Sequence, residues 1–339
     1  MPNNPTKILL SATLLGGILI SISSNSWLGA WTGLEINLMS FIPIMSSQEN
    51  IYTTEASLKY FLVQALASST LLFMVTMKAL TDQTLLMNNL LSYTMMSPLL
   101  LKMGAAPMHW WFPSVMEGLS WMNCLVMMTV QKIAPMMLIS YLVKANMPTL
   151  SVILTSVVVG SLGGMNQTSL RKILTYSSIN HTGWMLAAML GGNNLWLMYF
   201  AVYSLLTSAM TYIAQSFNIS FVNQAMMVKE ETMTKYVLFS TLLSLGGLPP
   251  FIGFLPKWVV IQMLITNNLS LVMTAMVVMS LVTLYYYLRM CYSSFILSHD
   301  SPKWSMKMNT KSSIIKRVVV LTSTSMLGLL VCTAITNIN

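Results

Sequence analysis

Long apolar segments with short connections between them run through the whole chain, and they constrain its fold more than any other feature. A helix needs about 20 apolar residues to cross the hydrocarbon core of a bilayer. Counted against that length, the sequence predicts an all-α membrane protein with eleven transmembrane helices in one domain, because the connections leave no room for a soluble domain. The predicted spans are 8–24, 26–46, 57–78, 84–105, 119–143, 149–165, 170–190, 194–216, 236–262, 269–294 and 315–336.

The charged residues agree with this class of protein. Only 7% of the residues are charged, against about 25% in ordinary globular chains. A net charge of +9 in so apolar a chain indicates membrane topology and argues against nucleic-acid binding. If the N-terminus lies inside, that side collects eleven lysines and arginines, and the other side collects only Lys78 and Lys144. We expect the first apolar run to be retained, because no small-residue cleavage site follows it.

Methionine is unusually frequent, at 33 of 339 residues. Packing alone does not explain the excess, because leucine packs among helices equally well. A genetic code with an extra methionine codon does explain it, and animal mitochondria use such a code. The sequence therefore predicts a multi-pass protein of the mitochondrial inner membrane, with its N-terminus in the matrix and its C-terminus in the intermembrane space.

The usual motifs of cofactor sites are missing from the sequence. Cys124, Cys291 and Cys332 are scattered and odd in number, so neither a disulfide framework nor a zinc or iron–sulfur site is indicated. The sequence also has no glycine-rich nucleotide loop and no pair of histidines at heme spacing. We expect no metal and no cofactor in this chain, and we interpret the cysteines as packing residues.

Two of the predicted spans are interrupted in the middle. In Leu242–Ile261 the pair Gly246-Gly247 precedes two prolines, and Lys257 lies just beyond them. In the fourth span, SPLLLKMGAAPMHWWFP, prolines bracket Lys102, as glycine and prolines bracket the region just before Lys257. Such breaks are tolerated in a bilayer only where protein or a water-filled cavity surrounds the freed backbone. Their positions predict two five-helix inverted repeats, about 8–143 and 149–294, followed by a C-terminal helix at about 315–336.

Four ionisable residues lie well inside predicted spans: Glu35, Lys102, Lys132 and Lys257. A charge at mid-bilayer costs upwards of roughly 2.5 kcal/mol, so each group needs a partner, a water cavity or neutralisation. Burial and neighbouring charges both change the proton affinity of such groups, so a series of them can pass protons. His181, inside the seventh span, is a weaker candidate for the same relay.

Structural alternatives stand beside each of these assignments. Glu35 could form a fixed ion pair with a lysine on an adjacent helix. Lys102 and Lys257 could donate only to backbone carbonyls freed at the helix breaks. Lys132, which comes shortly before a proline, could be structural, and His181 could be a hydrogen-bonded packing residue.

Five stretches of the sequence resemble a known family. They are TEASLKYFLVQALAS, LLLKMGAAPMHWWFPSVMEGLSWMN, QKIAP, GGMNQTSLRKILTYSSINHTGWM and LSLGGLPPFIGFLPKW. In order and spacing they are similar to the antiporter-like membrane subunits of mitochondrial NADH:ubiquinone oxidoreductase, respiratory complex I, in its insect forms. The resemblance runs from about Ser24 to about Asp300.

The resemblance implies a proton-pumping subunit of the membrane arm. Family members carry a glutamate and lysines along a hydrated polar axis, and the matching positions here are Glu35, Lys102, Lys132 and Lys257. It also implies that NADH, FMN, iron–sulfur clusters and ubiquinone bind to other subunits. The implied partners are other membrane-arm and accessory subunits and the lipid bilayer, including cardiolipin.

Two other functions fit the same residues. A free-standing cation/proton antiporter shares the expected fold, although Glu35 is the only carboxylate well inside a predicted span. A purely structural subunit would brace the membrane arm and leave its buried lysines unused.

Overall fold

The computed structural model describes residues 5–46, 50–81, 85–222, 224, 232–296 and 323. These residues form helices and connecting turns, with one isolated antiparallel bridge between Ser169 and Phe221. In chain order, the described helices are α1 (Pro5–Ser23), α2 (Trp27–Met45), α3 (Ile51–Thr81), α4 (Leu85–Met103), α5 (Trp111–Gly118), α6 (Trp121–Met128), α7 (Val130–Ser140), α8 (Met147–Gly164), α9 (Leu170–Met189), α10 (Asn193–Ser216), α11 (Thr232–Gly246), α12 (Phe254–Thr266) and α13 (Ser270–Ile296).

The all-α fold predicted from the sequence is confirmed in these residues. Helices α1, α2, α8, α9, α10 and α13 begin and end within about three residues of predicted spans. Helix α3 is longer than predicted at both ends, and the span predicted at 119–143 is divided into α6 and α7 at Thr129. The predicted C-terminal helix, 315–336, lies outside the described residues.

Six segments in the described part of the chain are long and apolar enough to cross a membrane. Two shorter apolar helices, within α11 and α12, flank the second break. Many large apolar side chains on the spanning helices point outward, as lipid-facing residues do. The predicted count of eleven spans stays a prediction. The six segments are Pro5–Ser23, Ile51–Leu80, Trp121–Ser140, Met147–Gly164, Asn194–Ser216 and Ser270–Tyr292.

The described residues fall into two compact units, divided between Val152 and Ile153. In the first unit, α1 and α2 pack against each other at very close range. A Cβ on Gly17 would lie 2.9 Å from the Gly33 carbonyl oxygen, and a Cβ on Gly33 would lie 2.5 Å from the Ser21 backbone nitrogen. The two helices therefore meet backbone to backbone, and they fix the position of the α2 face that carries Glu35.

Helices α3 and α7 of the first unit pack against α4, and α3 also packs against α5. In the second unit, α12 packs against α9, α10 and α13. Each unit thus contains one of the two interrupted helices.

Both interruptions predicted from the sequence are present, and both begin with the same backbone motif. At the end of α4, Gly104 has a φ of +69°. Its N–H donates to the Leu101 carbonyl at 3.1 Å, and the Ala105 N–H donates to the Leu100 carbonyl at 3.1 Å. This is a Schellman motif with glycine at the left-handed position, where a side chain would be strained.

The end of α11 repeats this arrangement. Gly247 has a φ of +78°, its N–H donates to the Ser244 carbonyl at 3.1 Å, and the Leu248 N–H donates to the Leu243 carbonyl at 3.4 Å. The two prolines that follow cannot continue a helix. The second half, α12, begins at Phe254.

The lysines lie on opposite sides of the two breaks. Lys102 is in the last turn of α4, before the first break. Lys257 is in the first turn of α12, after the second break. The sequence located both lysines near a break but did not separate these two positions.

Candidate functional site

Lys102 is buried, and its amine lies in a mostly apolar unit. The side chain is only 7% exposed. Two of the carbonyls freed at the end of α4 accept from other side chains, since Gln64 Nε2 donates to the Lys102 carbonyl at 3.2 Å and Trp111 Nε1 donates to the Leu101 carbonyl at 3.1 Å. Within the described residues the Lys102 Nζ has no hydrogen-bond partner. The Lys102 amine therefore does not cap the end of α4.

Polar side chains from three helices converge beside Lys102. Asn37 of α2 and Gln131 of α7 exchange two amide hydrogen bonds, of 3.0 and 3.1 Å. The Tyr60 hydroxyl of α3 lies 3.4 Å from the Gln131 Oε1. These groups, together with Gln64 and Lys102, line a small cavity about the size of one water molecule.

Glu35 lies on α2 and is only partly buried. Its carboxylate interacts electrostatically with the Lys102 amine. In the described part of the chain, however, no ion pair of 4.0 Å or less joins the carboxylate to any lysine or arginine. The two opposite charges therefore act on each other across a gap. Removal of the Glu35 charge would change the energy of the Lys102 ammonium without breaking a direct bond.

Lys132 is almost completely buried in α7, with 2% exposure. Its Nζ lies 5.3 Å from the centre of the Phe112 ring, which is a cation–π distance. Phe112 belongs to α5, the helix that follows the first break. Lys132 directly follows Gln131, a residue that lines the polar cavity.

Lys257 occupies a different environment from Lys102. Its Nζ donates a 2.9 Å hydrogen bond to the carbonyl of Gly246, the last residue of α11. That carbonyl lies at the negative end of the helix dipole, so it favours a positive charge. The amine is also 5.9 Å from the centre of the Trp184 ring, and the side chain is 5% exposed.

His181 lies in the middle of α9 and is 6% exposed. Its Nδ1 is 2.9 Å from the hydroxyl of Tyr199, and its ring centre is 5.1 Å from that of Tyr203. Both tyrosines belong to α10 and are buried. The histidine is thus hydrogen-bonded in the second unit, and this geometry fits both a packing role and a relay through the tyrosine hydroxyl.

These contacts distinguish the structural alternatives from one another. Donation to a freed carbonyl describes Lys257, whose amine caps α11. It does not describe Lys102, because its Nζ donates to no carbonyl among the described residues and other side chains donate to two of the α4 carbonyls. A fixed ion pair does not describe Glu35 in the described residues. Lys102 is therefore the buried amine whose environment is least explained by the architecture of the helices.

The neutral polar residues of the cavity were not predicted from the sequence. Asn37 and Gln131 are 94 positions apart in the chain, and neither is ionisable. Each lies close to an identified charge, Asn37 two residues after Glu35 and Gln131 one residue before Lys132. Burial of an amide in an apolar helix costs free energy unless the amide is hydrogen-bonded, so the presence of Asn37 and Gln131 in apolar segments could have identified them.

The described residues hold no group of three or more metal-ligating side chains. Cys124 and Cys291 are both buried and not in disulfides, in agreement with their interpretation as packing residues. Cys332 lies outside the described residues.

Two protein-family models match the chain. The membrane-domain model of NADH:quinone oxidoreductase and Mrp antiporters matches residues 24–283, most of the chain. The chain belongs to this family. A second model, the C-terminal part of NADH dehydrogenase subunit 2, matches residues 284–336. Similarity to the NADH:quinone oxidoreductase family therefore extends beyond Asp300, where the sequence resemblance ended.

Relatives within the NADH:quinone oxidoreductase family are similar over nearly their full length. The NADH-ubiquinone oxidoreductase chain 2 of Anopheles gambiae is 52% identical over 300 residues, which cover 87% of this chain and 88% of the relative. The chain 2 of Locusta migratoria is 43% identical and covers 98% of each chain. The resemblance to complex I subunits of insects is confirmed, and this chain is an antiporter-like membrane subunit of that enzyme.

Two solved structures have the same fold as this chain. A chain of respiratory complex I from Thermus thermophilus superposes with a TM-score of 0.83 at 25% identity, over 97% of this chain and 79% of that one. A chain of the Mrp complex from Dietzia superposes with a TM-score of 0.81 at 15% identity, over 94% and 74%. The second likeness concerns the fold alone.

Proposed function

We propose that the chain moves protons from the matrix to the intermembrane space as part of complex I in the mitochondrial inner membrane. Electron transfer from NADH to ubiquinone takes place on other subunits, which hold the FMN, the iron–sulfur clusters and the quinone. The neighbours of this chain are other membrane-arm and accessory subunits and membrane lipids, including cardiolipin. Its N-terminus faces the matrix and its C-terminus faces the intermembrane space, in line with the distribution of lysine and arginine.

Lys102 is the central proton holder in this proposal. The observation that carries it is a buried lysine that lines a polar cavity and whose amine has no hydrogen-bond partner among the described residues and interacts with the Glu35 carboxylate across a gap. An amine in this setting is sensitive to any change in the position of the carboxylate, because Coulomb interactions are strong where water is scarce. Glu35 therefore modulates the proton affinity of Lys102.

The other buried groups extend the path. Lys132 receives the proton from the Lys102 side, and Lys257 connects to the exit side or to the next subunit. His181 takes part as a weaker relay through Tyr199. The two inverted repeats, about 8–143 and 149–294, each contribute one interrupted helix to this path.

Replacement of Lys102 by methionine tests the proposal. Methionine keeps an unbranched side chain of similar length but cannot hold a proton, so we expect fewer protons pumped per NADH oxidised in an assembled complex. The measurement is the proton-to-electron ratio in vesicles, with the amount of assembled complex determined in parallel. The matched control is Lys59→Met, because Lys59 is an exposed lysine in a local ion pair with Glu55.

Two results would contradict the proton-holding role. Full coupled pumping by Lys102→Met would remove this amine from the path. Failure of all charge-removing variants at Lys102, Lys132 and Lys257 to assemble would instead favour a subunit that only braces the membrane arm.

A further inference from the structure

We infer that Asn37 and Gln131 are positioning residues that hold one ordered water molecule against the amine of Lys102. This inference rests on the proposed function and adds to it two neutral residues and a specific water. Neither amide can carry a proton in the physiological range. Their role is to keep an acceptor and donor beside the group that does.

The two amides are locked together in a way that leaves polar atoms available. Each amide donates one N–H to the carbonyl oxygen of the other, at 3.0 and 3.1 Å. A primary amide has two N–H groups and an oxygen with two lone pairs, so each partner retains an unused N–H in this pair. Both side chains are buried, at 3% and 9% exposure. Burial of these remaining polar atoms costs free energy unless something else bonds to them.

The cavity beside the amides supplies the space for that partner. Tyr60, Gln64 and Lys102 complete its polar wall, and apolar side chains close the rest. A buried water molecule needs about one probe sphere of space and two to four polar partners. The cavity meets both requirements, because it is about that size and five polar side chains line it.

The amine of Lys102 is the group that most needs this water. An ammonium has three N–H donors, and within the described residues its nitrogen has no hydrogen-bond partner. Glu35 does not lie within 4.0 Å of it. A water molecule can accept from the ammonium and can also donate to the neutral amine. It therefore serves Lys102 in both protonation states, whereas a carbonyl oxygen can only accept and cannot donate to the lone pair of the neutral amine.

The amide pair suits this task because it does not titrate. A carboxylate in the same place would pair with the ammonium and hold its proton. The reciprocal bonds also fix the orientation of both amides, since rotation of either one would break two hydrogen bonds. The water site therefore keeps the same geometry while the charge on Lys102 changes.

The principal variant is Gln131→Leu, measured in the assembled complex. Leucine removes the amide at similar volume, so we expect the proton-to-electron ratio to fall by more than half of the loss caused by Lys102→Met. The exchange variant, Asn37→Gln combined with Gln131→Asn, keeps two facing amides and should recover most of the ratio. The control is Ser57→Ala, which removes a buried hydroxyl whose hydrogen bond stays within its own helix.

A purely structural amide pair predicts a different pattern. In that case Gln131→Leu would lower the amount of assembled complex and leave the proton-to-electron ratio of the remainder unchanged, which would overturn the inference. If Lys102→Met fails to pump while assembled Gln131→Leu pumps normally, the water site is wrong and the proposed function stands. If Lys102→Met pumps fully, the proposed function itself is wrong.

A high-resolution density map of the unmodified complex tests the inference even if the variants do not assemble. We expect one water within hydrogen-bond distance of the Lys102 Nζ and of an amide of Asn37 or Gln131. Absence of water at that place in a map that resolves other buried waters would refute the inference.

Discussion

Replacement of Gly247 by alanine should loosen the second helix break and displace Lys257. Two costs can be worked out from the structure. The left-handed conformation at φ +78° costs a residue with a Cβ about 1–2 kcal/mol. The new Cβ would also lie 3.0 Å from both the Cδ and the Nζ of Lys257, so the lysine side chain must give way by a small amount and its hydrogen bond to the Gly246 carbonyl is weakened. Complete loss of a hydrogen bond to a charged group costs about 1.5–3 kcal/mol, which is the upper limit of this second cost.

The strain alone costs about 1–2 kcal/mol, which raises the population of the locally opened break about five- to thirtyfold. Weakening of the Lys257 hydrogen bond adds to this increase. Hydrogen–deuterium exchange of the backbone amides at 243–254, followed by mass spectrometry of the purified complex, measures this opening. We expect much faster exchange in Gly247→Ala than in the unmodified chain.

The control separates strain from displacement of the lysine. Gly192 also has a positive φ, of +120°, but a Cβ there would meet nothing within 4 Å. Gly192→Ala should therefore accelerate exchange only in its own turn. Unchanged exchange at 243–254 in Gly247→Ala would refute the reasoning, because neither the strain nor the hydrogen bond would then matter.

Two further substitutions test single hydrogen bonds. Trp111→Phe removes the indole N–H that caps α4 and should lower the free energy of local opening at the first break by about 1 kcal/mol, measured by the same exchange experiment. Trp110→Phe is its control, because Trp110 is 81% exposed, and equal exchange in the two variants would contradict the role of the cap. Tyr199→Phe keeps the ring but removes the hydroxyl beside His181, so thermal inactivation of the complex should occur at a lower temperature. A simultaneous fall in the proton-to-electron ratio would support a relay, and an unchanged ratio would leave His181 as a packing residue.

The sequence predicted the features that depend on local chemistry. The glycine and proline residues around 246–250 predicted the second break, and Gly104 and Pro107 predicted the first, because these residues do not continue a helical hydrogen-bond ladder. Pro98, which was also expected to border the first break, lies inside α4. Hydropathy located most helices within a few residues. Burial of Lys102, Lys132 and Lys257 also followed from their place in apolar segments.

Features that depend on tertiary packing could not be predicted in this way. The hydrogen bond between Asn37 and Gln131 depends on how α2 packs beside α7. In the same way, the packing of other elements against α4 brings Gln64 and Trp111, and not the Lys102 amine, to the carbonyls at its end. The side of the break on which each lysine lies depends on where the second half-helix begins. Proline positions set only an approximate limit on that point.

The close approach of α1 and α2 limits the ways in which Glu35 can move. Helices that touch through Gly17 and Gly33 have no intervening side chains that could change rotamer to let one slide past the other. A shift of α2 towards α1 would bring backbone atoms into collision, so that direction is closed. Changes in the spacing between the carboxylate and the amine can then come from rotamer changes of the two flexible side chains or from the interrupted helix that carries Lys102. The glycine contact thus holds the backbone of α2 against α1 and leaves the charged side chains free to move.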